Sequence, residues 1–273
     1  MSSFSLAHLT LIGCSAPELV YIAARCGYDA VSPRFIPMHV PGEFSCEAHD
    51  VSLVQATKEA LKNTGIRVGE LELIRIVEGM DPYANEVAIS LAAEMGATRM
   101  ITSVWLSEPA ERTYIVDQYG ALCDIAYDYG LTVDLEFPTF STLKTLHAAA
   151  DIVRAAGRPN GGILIDTIYS EFSGLNLNEI DSLPKDWFHF LHIADVPSEI
   201  PTSNNGMIEI ARGARLYPGE GRIDFSAILK HLPPVTFSIE LPNLARVQKL
   251  GYEGHARRCL ETAKQTLLPA ADV

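Results

Sequence analysis

The sequence predicts an α/β protein folded as a single (β/α)8 barrel, and three observations carry that expectation. Short apolar runs rich in β-formers alternate with segments of helical period, the order expected of βα units around a parallel sheet. The runs number eight in 273 residues, which matches the count and length of such a barrel. Several helical segments end in a glycine just before the next run, at Gly27, Gly65, Gly96, Gly130 and Gly157, where a left-handed cap suits a residue without Cβ. An open doubly wound sheet is the competing arrangement. It loses support because no G-x-G-x-x-G follows the first run and no Walker A sequence occurs, which also argues against nicotinamide and nucleotide cofactors.

Leu6–Ile12 is the first expected strand, followed by a helix over Ala16–Cys26 that Gly27 closes. A short strand at Ala30–Pro33 gives way to an irregular Pro37–Cys46 and a helix over Asp50–Asn63. The third and fourth strands are expected at Val68–Ile76 and Arg99–Val104, with Glu86–Met95 helical between them. A helix over Glu111–Tyr129 leads to the fifth strand, Thr132–Phe137, and a helix over Thr142–Ala156 follows it. Gly162–Ile165, Phe190–Ile193 and Thr236–Leu241 complete the strands, with helices over Phe225–Leu232 and Tyr252–Leu267. Pro197–Gly221 is expected to be irregular and, like Pro37–Cys46, to lie on the face where a barrel keeps its chemistry. No linker divides the chain, so residues 1–273 are expected to form one domain.

Composition narrows the function. A hydrophobic share of 48% supports a sizeable core, and the ordinary Gly and Pro content excludes fibrous, disordered and repeat classes. Lys and Arg total 21 against 34 Asp and Glu, a net charge of −13 that repels a phosphate backbone unless basic residues gather on one face. No basic run is visible, so nucleic acid is not an expected partner. No apolar stretch approaches the roughly 20 residues that span a bilayer, and no membrane partner is expected. Met1–Leu11 lacks a basic n-region and is not read as a signal peptide. The five cysteines are scattered, odd in number and free of any CxxC pair, which argues against a disulfide framework or thiolate zinc site and for a cytoplasmic setting. The apolar stretch Phe35-Ile-Pro-Met38 suits a homo-oligomer contact or a lid over the barrel mouth.

Polar residues at strand ends are the informative feature. Thr132-Val-Asp-Leu-Glu136, Gly162-Ile-Leu-Ile-Asp166 and Phe237-Ser-Ile-Glu240 each end an apolar run in a carboxylate, and Phe190-Leu-His192 ends in an imidazole. In a barrel those ends converge on one mouth, so Glu136, Asp166, His192 and Glu240 meet around a common point. Three carboxylates brought together raise one another's pKa, and a divalent cation at their centre removes that penalty. The oxygen-rich set with one imidazole favours one divalent metal ion, Mn²⁺ or Mg²⁺ first, with Co²⁺ and Zn²⁺ open. Taken singly, each residue also reads as a helix cap, an ion-pair partner or a core histidine.

These four strand ends, with Leu216-Tyr-Pro-Gly-Glu-Gly221 in the loop after His192, resemble the xylose-isomerase-like TIM-barrel superfamily, the sugar phosphate isomerase/epimerase family. The resemblance covers essentially the whole chain and is strongest from Thr132 to Asn243; Ala155-Ala-Gly-Arg-Pro-Asn160 is also typical of bacterial members. It implies that Glu136, Asp166, His192 and Glu240 bind one divalent metal, with Glu136 and Glu240 doubling as acid and base. Where many members carry D-x-x-H, this chain has Asp166-Thr-Ile-Tyr169, and a later D-x-H pair is missing after Asp195, which argues against the trinuclear site of the endonuclease members. Tyr169 then stands where substrate-contacting histidines lie in some relatives, as a hydrogen-bond donor, a weak acid or packing.

The chemistry expected of such a site is proton abstraction next to a carbonyl, through a metal-bound enediolate. Return of the proton to the neighbouring carbon makes an isomerase, and return to the same carbon from the other face makes an epimerase. Loss of a β-hydroxyl makes a dehydratase of a cyclic hydroxyketone such as 3-dehydroshikimate or an inosose. The expected partner is thus a small sugar-like substrate, a neutral or carboxylated polyol, keto-sugar or cyclitol, and isomerisation or epimerisation is placed ahead of dehydration. A non-catalytic ligand-binding barrel is the remaining class, and retention of both glutamates argues against it. Among secondary positions, Arg215 matches a basic residue that contacts substrate oxygens in relatives, with Arg212 as its alternative. Arg75 is read as facing the mouth or forming an ion pair, Trp105 as stacking on substrate or packing at the rim, Glu220 as a loop anchor, and His8 as core or rim.

Overall fold

Residues 3–268 are described by the structure, a computed structural model, and the expected terminal limits of the domain, 1 and 273, lie outside them. Among the described residues the strands are Phe4–Ala7 (β1), Ala30–Ser32 (β2), Arg67–Val68 (β3), Glu70–Ile76 (β4), Arg99–Val104 (β5), Thr132–Glu136 (β6), Gly161–Asp166 (β7), Phe190–Ile193 (β8) and Thr236–Ile239 (β9). Every pairing is parallel, in the order β3-β2-β1-β9-β8-β7-β6-β5-β4. An isolated parallel bridge from Arg34, just past β2, to Glu72 of β4 brings the two sides of that sheet together into a nearly closed barrel.

The helices are Ala16–Cys26 (α1), Val51–Thr64 (α2), Glu86–Glu94 (α3), Arg112–Asp128 (α4), Leu146–Ala156 (α5), Thr167–Ser173 (α6), Asn178–Asp181 (α7), Asn204–Gly213 (α8), Phe225–Lys230 (α9) and Leu244–Leu267 (α10), the last broken at Gly251. Short polar side chains start several of them: Ser15, Asp50, Thr145, Ser203 and Asn243 each accept a backbone N–H of the first turn, a cap worth about 1 kcal/mol. All five glycines expected as left-handed caps have positive φ, from 61° to 94°.

Four expectations are corrected. The first strand stops at Ala7 and the chain turns through a 3₁₀ segment, His8–Leu11, because Thr10 Oγ1 donates to the Ile239 carbonyl and accepts the Leu241 N–H, pinning the turn over the end of β9. The third strand is two pieces: Gly69 N–H bonds Val31 while its carbonyl takes Thr98 N–H, so the chain changes neighbours there, β3 pairing with β2 and β4 with β5. Pro197–Gly221 contains α8. Phe35, expected on an exposed apolar stretch, is 2% exposed and part of the core.

Strand alternation sorts side chains into two environments. Outward residues such as Leu6, Val31, Leu135, Ile165 and Ile239 join the main core beneath the helices. Inward, Leu73, Ile101, Leu164 and Phe190 form an apolar layer across the barrel. At the N-terminal end of the strands, the barrel floor holds Arg99 3.5 Å from Glu70 and His189 2.6 Å from Asp134. The opposite end is the mouth.

Candidate metal centre

Glu136, Asp166, His192 and Glu240 sit at the C-terminal ends of β6, β7, β8 and β9. Their neighbours Leu135, Ile165, Leu191 and Ile239 are committed to the outer core, so the alternation turns all four polar side chains toward the barrel axis. One ligand atom from each lies within 4.8 Å of the others. The strand-end reading of the sequence and the geometry thus pick out the same four residues.

His192 supplies the test of whether a cation fits. It is 1% exposed, and neither ring nitrogen has a hydrogen-bond partner. Its Nδ1 stands 3.7 Å from Glu136 Oε1 and 3.6 Å from Glu240 Oε2, too far for hydrogen bonds. Gaps of that size between donor atoms would admit a cation held by all four side chains. Burial disfavours the imidazolium, but the charges of Glu240, Glu136 and Asp166 outweigh it and push His192 up to about 10. Burial raises Glu136 to about 7, with Glu240 and Asp166 adding to the rise against the pull of His192. The cluster therefore draws in positive charge, as protons or as a metal ion, and its O,O,O,N donors fit a divalent cation.

Arg215 lies behind the ligands. It is fully buried, with Nε donating to the Ala211 carbonyl at 2.9 Å, Nη1 to Asp166 Oδ2 at 2.8 Å and to the Glu240 carbonyl at 2.9 Å, and Nη2 to Glu240 Oε2 at 2.7 Å. The sequence reading aims Arg215 at substrate oxygens; in the structure four of its five N–H groups are already on protein acceptors. Burial acts to raise Glu240, yet the positive charges of Arg215 and His192 win and hold it below the usual range. For Asp166 burial prevails over Arg215 and the carboxyl is raised. Asp166 also starts α6, its Oδ1 accepting Ile168 N–H at 3.0 Å.

Tyr169, one turn into α6, is buried between Phe140 at 5.6 Å and Phe172 at 6.4 Å, with the Arg215 guanidinium 5.7 Å from its ring centroid. Burial holds its phenol well above 10, which argues against the weak-acid reading and leaves packing or hydrogen bonding. Trp105, just past β5, donates Nε1 to Ser103 Oγ and lies 5.9 Å from Phe140, so Trp105, Phe140 and Tyr169 form one aromatic wall of the mouth. Arg75 forms no ion pair among the described residues; its Nη2 reaches the Met38 carbonyl at 3.4 Å. Glu220 anchors its loop, accepting Tyr217 N–H and Arg246 Nη2. His8 is buried and accepts the Arg34 N–H at Nδ1, so Nε2 carries the proton it donates to the Cys14 carbonyl.

Sequence reasoning missed two features. Arg34 and Glu72 form a buried pair beside the ligands, hidden because the two strands meet only on barrel closure. Asp195, just past β8, is fully buried and accepts the N–H groups of Val196, Gly219, Gly221 and Ile223, which shapes the Pro218-Gly-Glu-Gly221 turn. A Cβ at Gly221 would lie 2.0 Å from the Val196 carbonyl, so only glycine fits that approach. The signal was a carboxylate after a strand and a G-x-G turn one connection later.

Residues 20–253 match the family described as xylose isomerase-like TIM barrel. The chain is 25% identical over 200 residues to the inosose isomerase of Bacillus subtilis (strain 168), covering 72% of this chain and 68% of that one. Among solved structures, the IolI protein with a bound zinc atom superposes with a TM-score of 0.81 at 20% identity, covering 99% of this chain and all of that one. A D-allulose 3-epimerase from Methylomonas sp. superposes with a TM-score of 0.68 at 17% identity, over 97% and 98% of the two chains. At these identities the superpositions establish the barrel fold.

Proposed function

The chain belongs to the xylose isomerase-like TIM barrel family, and from that membership we propose that it is a divalent-metal-dependent isomerase or epimerase of a sugar, keto-sugar or related polyol. The observation that carries the reading is the convergence of Glu136, Asp166, His192 and Glu240 around a buried imidazole with no hydrogen-bond partner. The names of an inosose isomerase and a D-allulose 3-epimerase among similar proteins support the substrate class. Mn²⁺ or Mg²⁺ is proposed from the donor set, and the zinc-bound IolI protein keeps Zn²⁺ in view. The five free cysteines, four of them buried or nearly so, agree with a cytoplasmic setting.

When bound, the ion polarises a substrate carbonyl and stabilises the negative charge that develops as the neighbouring carbon loses its proton. Glu136 and Glu240 each keep 6% exposure against 1% for Asp166 and His192, so the two glutamates present an edge to the mouth. Arg215 occupies Glu240 Oε2 and keeps that carboxylate ionised, leaving Oε1 to take the proton. Glu136, the other glutamate of the set, donates a proton of its own to the substrate, and exchange with solvent resets both carboxyls. Two carboxylates at the ends of different strands make an acid–base pair in this way, each worth about 10²–10⁴ in rate. Phe140, Tyr169 and Trp105 line the side of the mouth where they limit water.

Incubation of the Mn²⁺-loaded protein with keto-sugars and inososes in D₂O, followed by NMR, tests the reading. Deuterium is expected at the carbon next to the carbonyl, with a loss of at least about 10²-fold in Glu136→Gln and Glu240→Gln. No incorporation from any of these substrates, by protein of verified metal content, would overturn it.

A further inference from the structure

The β2–β4 side of the mouth carries a second set of charged side chains that the metal centre does not use. Arg34 and Glu72 are 3% and 0% exposed, with Arg34 Nε 3.1 Å from Glu72 Oε2. The approach is out of line, so Arg34 Nε and Nη1 and both Glu72 oxygens have no hydrogen-bond partner. The pair shares one contact and keeps hydrogen-bonding capacity at Arg34 Nη1 and Glu72 Oε1 that a polar ligand at the mouth can take.

Arg75 stands beside them. Ile74 and Ile76 pack in the outer core, so Arg75 between them faces inward, where it donates to the Met38 carbonyl and forms no ion pair among the described residues; the Glu43 carboxylate, which takes the Met38 and Val40 N–H groups, acts on it from a distance. Burial and the like charges of Arg34 and Arg212 outweigh the pull of Glu43 and disfavour its charged form, a penalty that an incoming anion relieves. Arg212, on α8, also forms no ion pair among the described residues. On this side the guanidiniums of Arg34, Arg75 and Arg212 act on one another, with Glu72 and Glu43 as the carboxylates beside them.

We infer that the substrate carries a carboxylate, held by Arg75 and Arg34 on the β2–β4 side while its carbonyl end lies at the metal ligands. The second contact rests on the proposed metal-dependent function; the first does not. A carboxylate fits better than a phosphate because Arg34 already shares its charge with Glu72, leaving a fork suited to one negative charge.

Calorimetric titration with quinate and with myo-inositol compares two six-membered polyol rings, one with a carboxylate and one without. Quinate is expected to bind Mn²⁺-loaded protein about tenfold tighter, and Arg75→Gln to remove most of that advantage. After chelation with EDTA the preference is expected to persist in weaker form, since the guanidiniums remain. Equal or tighter binding of myo-inositol, or no binding of either ring, overturns the inference. So does a quinate preference that disappears with the metal and ignores Arg75→Gln, because the carboxylate then sits on the ion. Arg75 is half-buried, and if its variant does not fold, titration at about 0.5 M NaCl reads the same contact: the advantage is expected to shrink, and an unchanged advantage overturns the inference. A protein that binds no metal yet prefers quinate through Arg75 sinks the proposed reaction and leaves the carboxylate contact standing.

Discussion

Arg215 holds Glu240 at both ends, donating from Nη2 to its carboxylate at 2.7 Å and from Nη1 to its backbone carbonyl at 2.9 Å. A side chain clamped to its own main chain through a rigid guanidinium has little rotamer freedom left. Glu240 is therefore set in place by protein groups before any ion arrives. The same guanidinium reaches Asp166, so two ligands from different strands share one positioning device.

Arg215→Met is expected to destabilise the metal-free protein by about 3–5 kcal/mol, since it leaves two buried carboxylates without their partner. Urea unfolding measures the loss. Added Mn²⁺ is expected to recover part of it, and Arg215→Lys to fall between the two because lysine keeps the charge but not the fork.

Binding of a divalent ion to the folded state alone stabilises it by about 2.7 kcal/mol at one hundred times the dissociation constant. The midpoint of thermal unfolding is accordingly expected to rise with Mn²⁺ and to fall back on chelation. Glu240→Gln and His192→Ala are expected to blunt that response, and an unchanged midpoint in wild-type protein across the Mn²⁺ series would sink the metal centre.

His8 offers a pH test away from the ligands. Burial, aided by Arg34, lowers its pKa from 6.5 to about 4 against the Cys14 carbonyl that favours the charge. Between pH 6.5 and 4 the unfolded chain takes up a proton that the folded chain refuses, so stability falls as pH falls through that window. The loss is roughly 3 kcal/mol at the acid end. His8→Gln, which still offers an acceptor to Arg34 N–H, is expected to flatten this slope relative to wild type in urea titrations run from pH 7 to 4.

Asp195→Asn replaces two carboxylate oxygens by one acceptor and an amide donor aimed at N–H groups. A loss of about 3 kcal/mol is expected. Hydrogen exchange localises it: the amides of Gly219, Gly221 and Ile223 are expected to lose protection first, and uniform protection across that turn would contradict the anchoring role.

The metal ligands were legible because one polar residue ends each of four consecutive apolar strands, a pattern that needs only the barrel's period and direction to bring them together. The aromatic wall was half legible: Trp105 and Tyr169 stand next to strand ends, whereas Phe140 enters through a loop. What escaped is tertiary. The sequence from Arg67 to Ile76 reads as one run, and only the change of partner at Gly69 reveals two strands. His8-Leu-Thr-Leu11 alternates like a strand, yet Thr10 spends its hydroxyl on residues more than two hundred positions away. Arg34 and Glu72 meet only when the barrel closes, so neither shows its partner locally.

The apolar layer of Leu73, Ile101, Leu164 and Phe190 divides the barrel interior into two compartments. Below it, Arg99 stands 3.5 Å from Glu70 and His189 2.6 Å from Asp134. Phe190 is the member that touches both, with the Arg99 guanidinium 5.1 Å from its ring centroid on one side and the His192 ring 5.5 Å away on the other. A substitution on the floor that moves Arg99 therefore has a packed route, one aromatic ring long, to the imidazole of the metal centre.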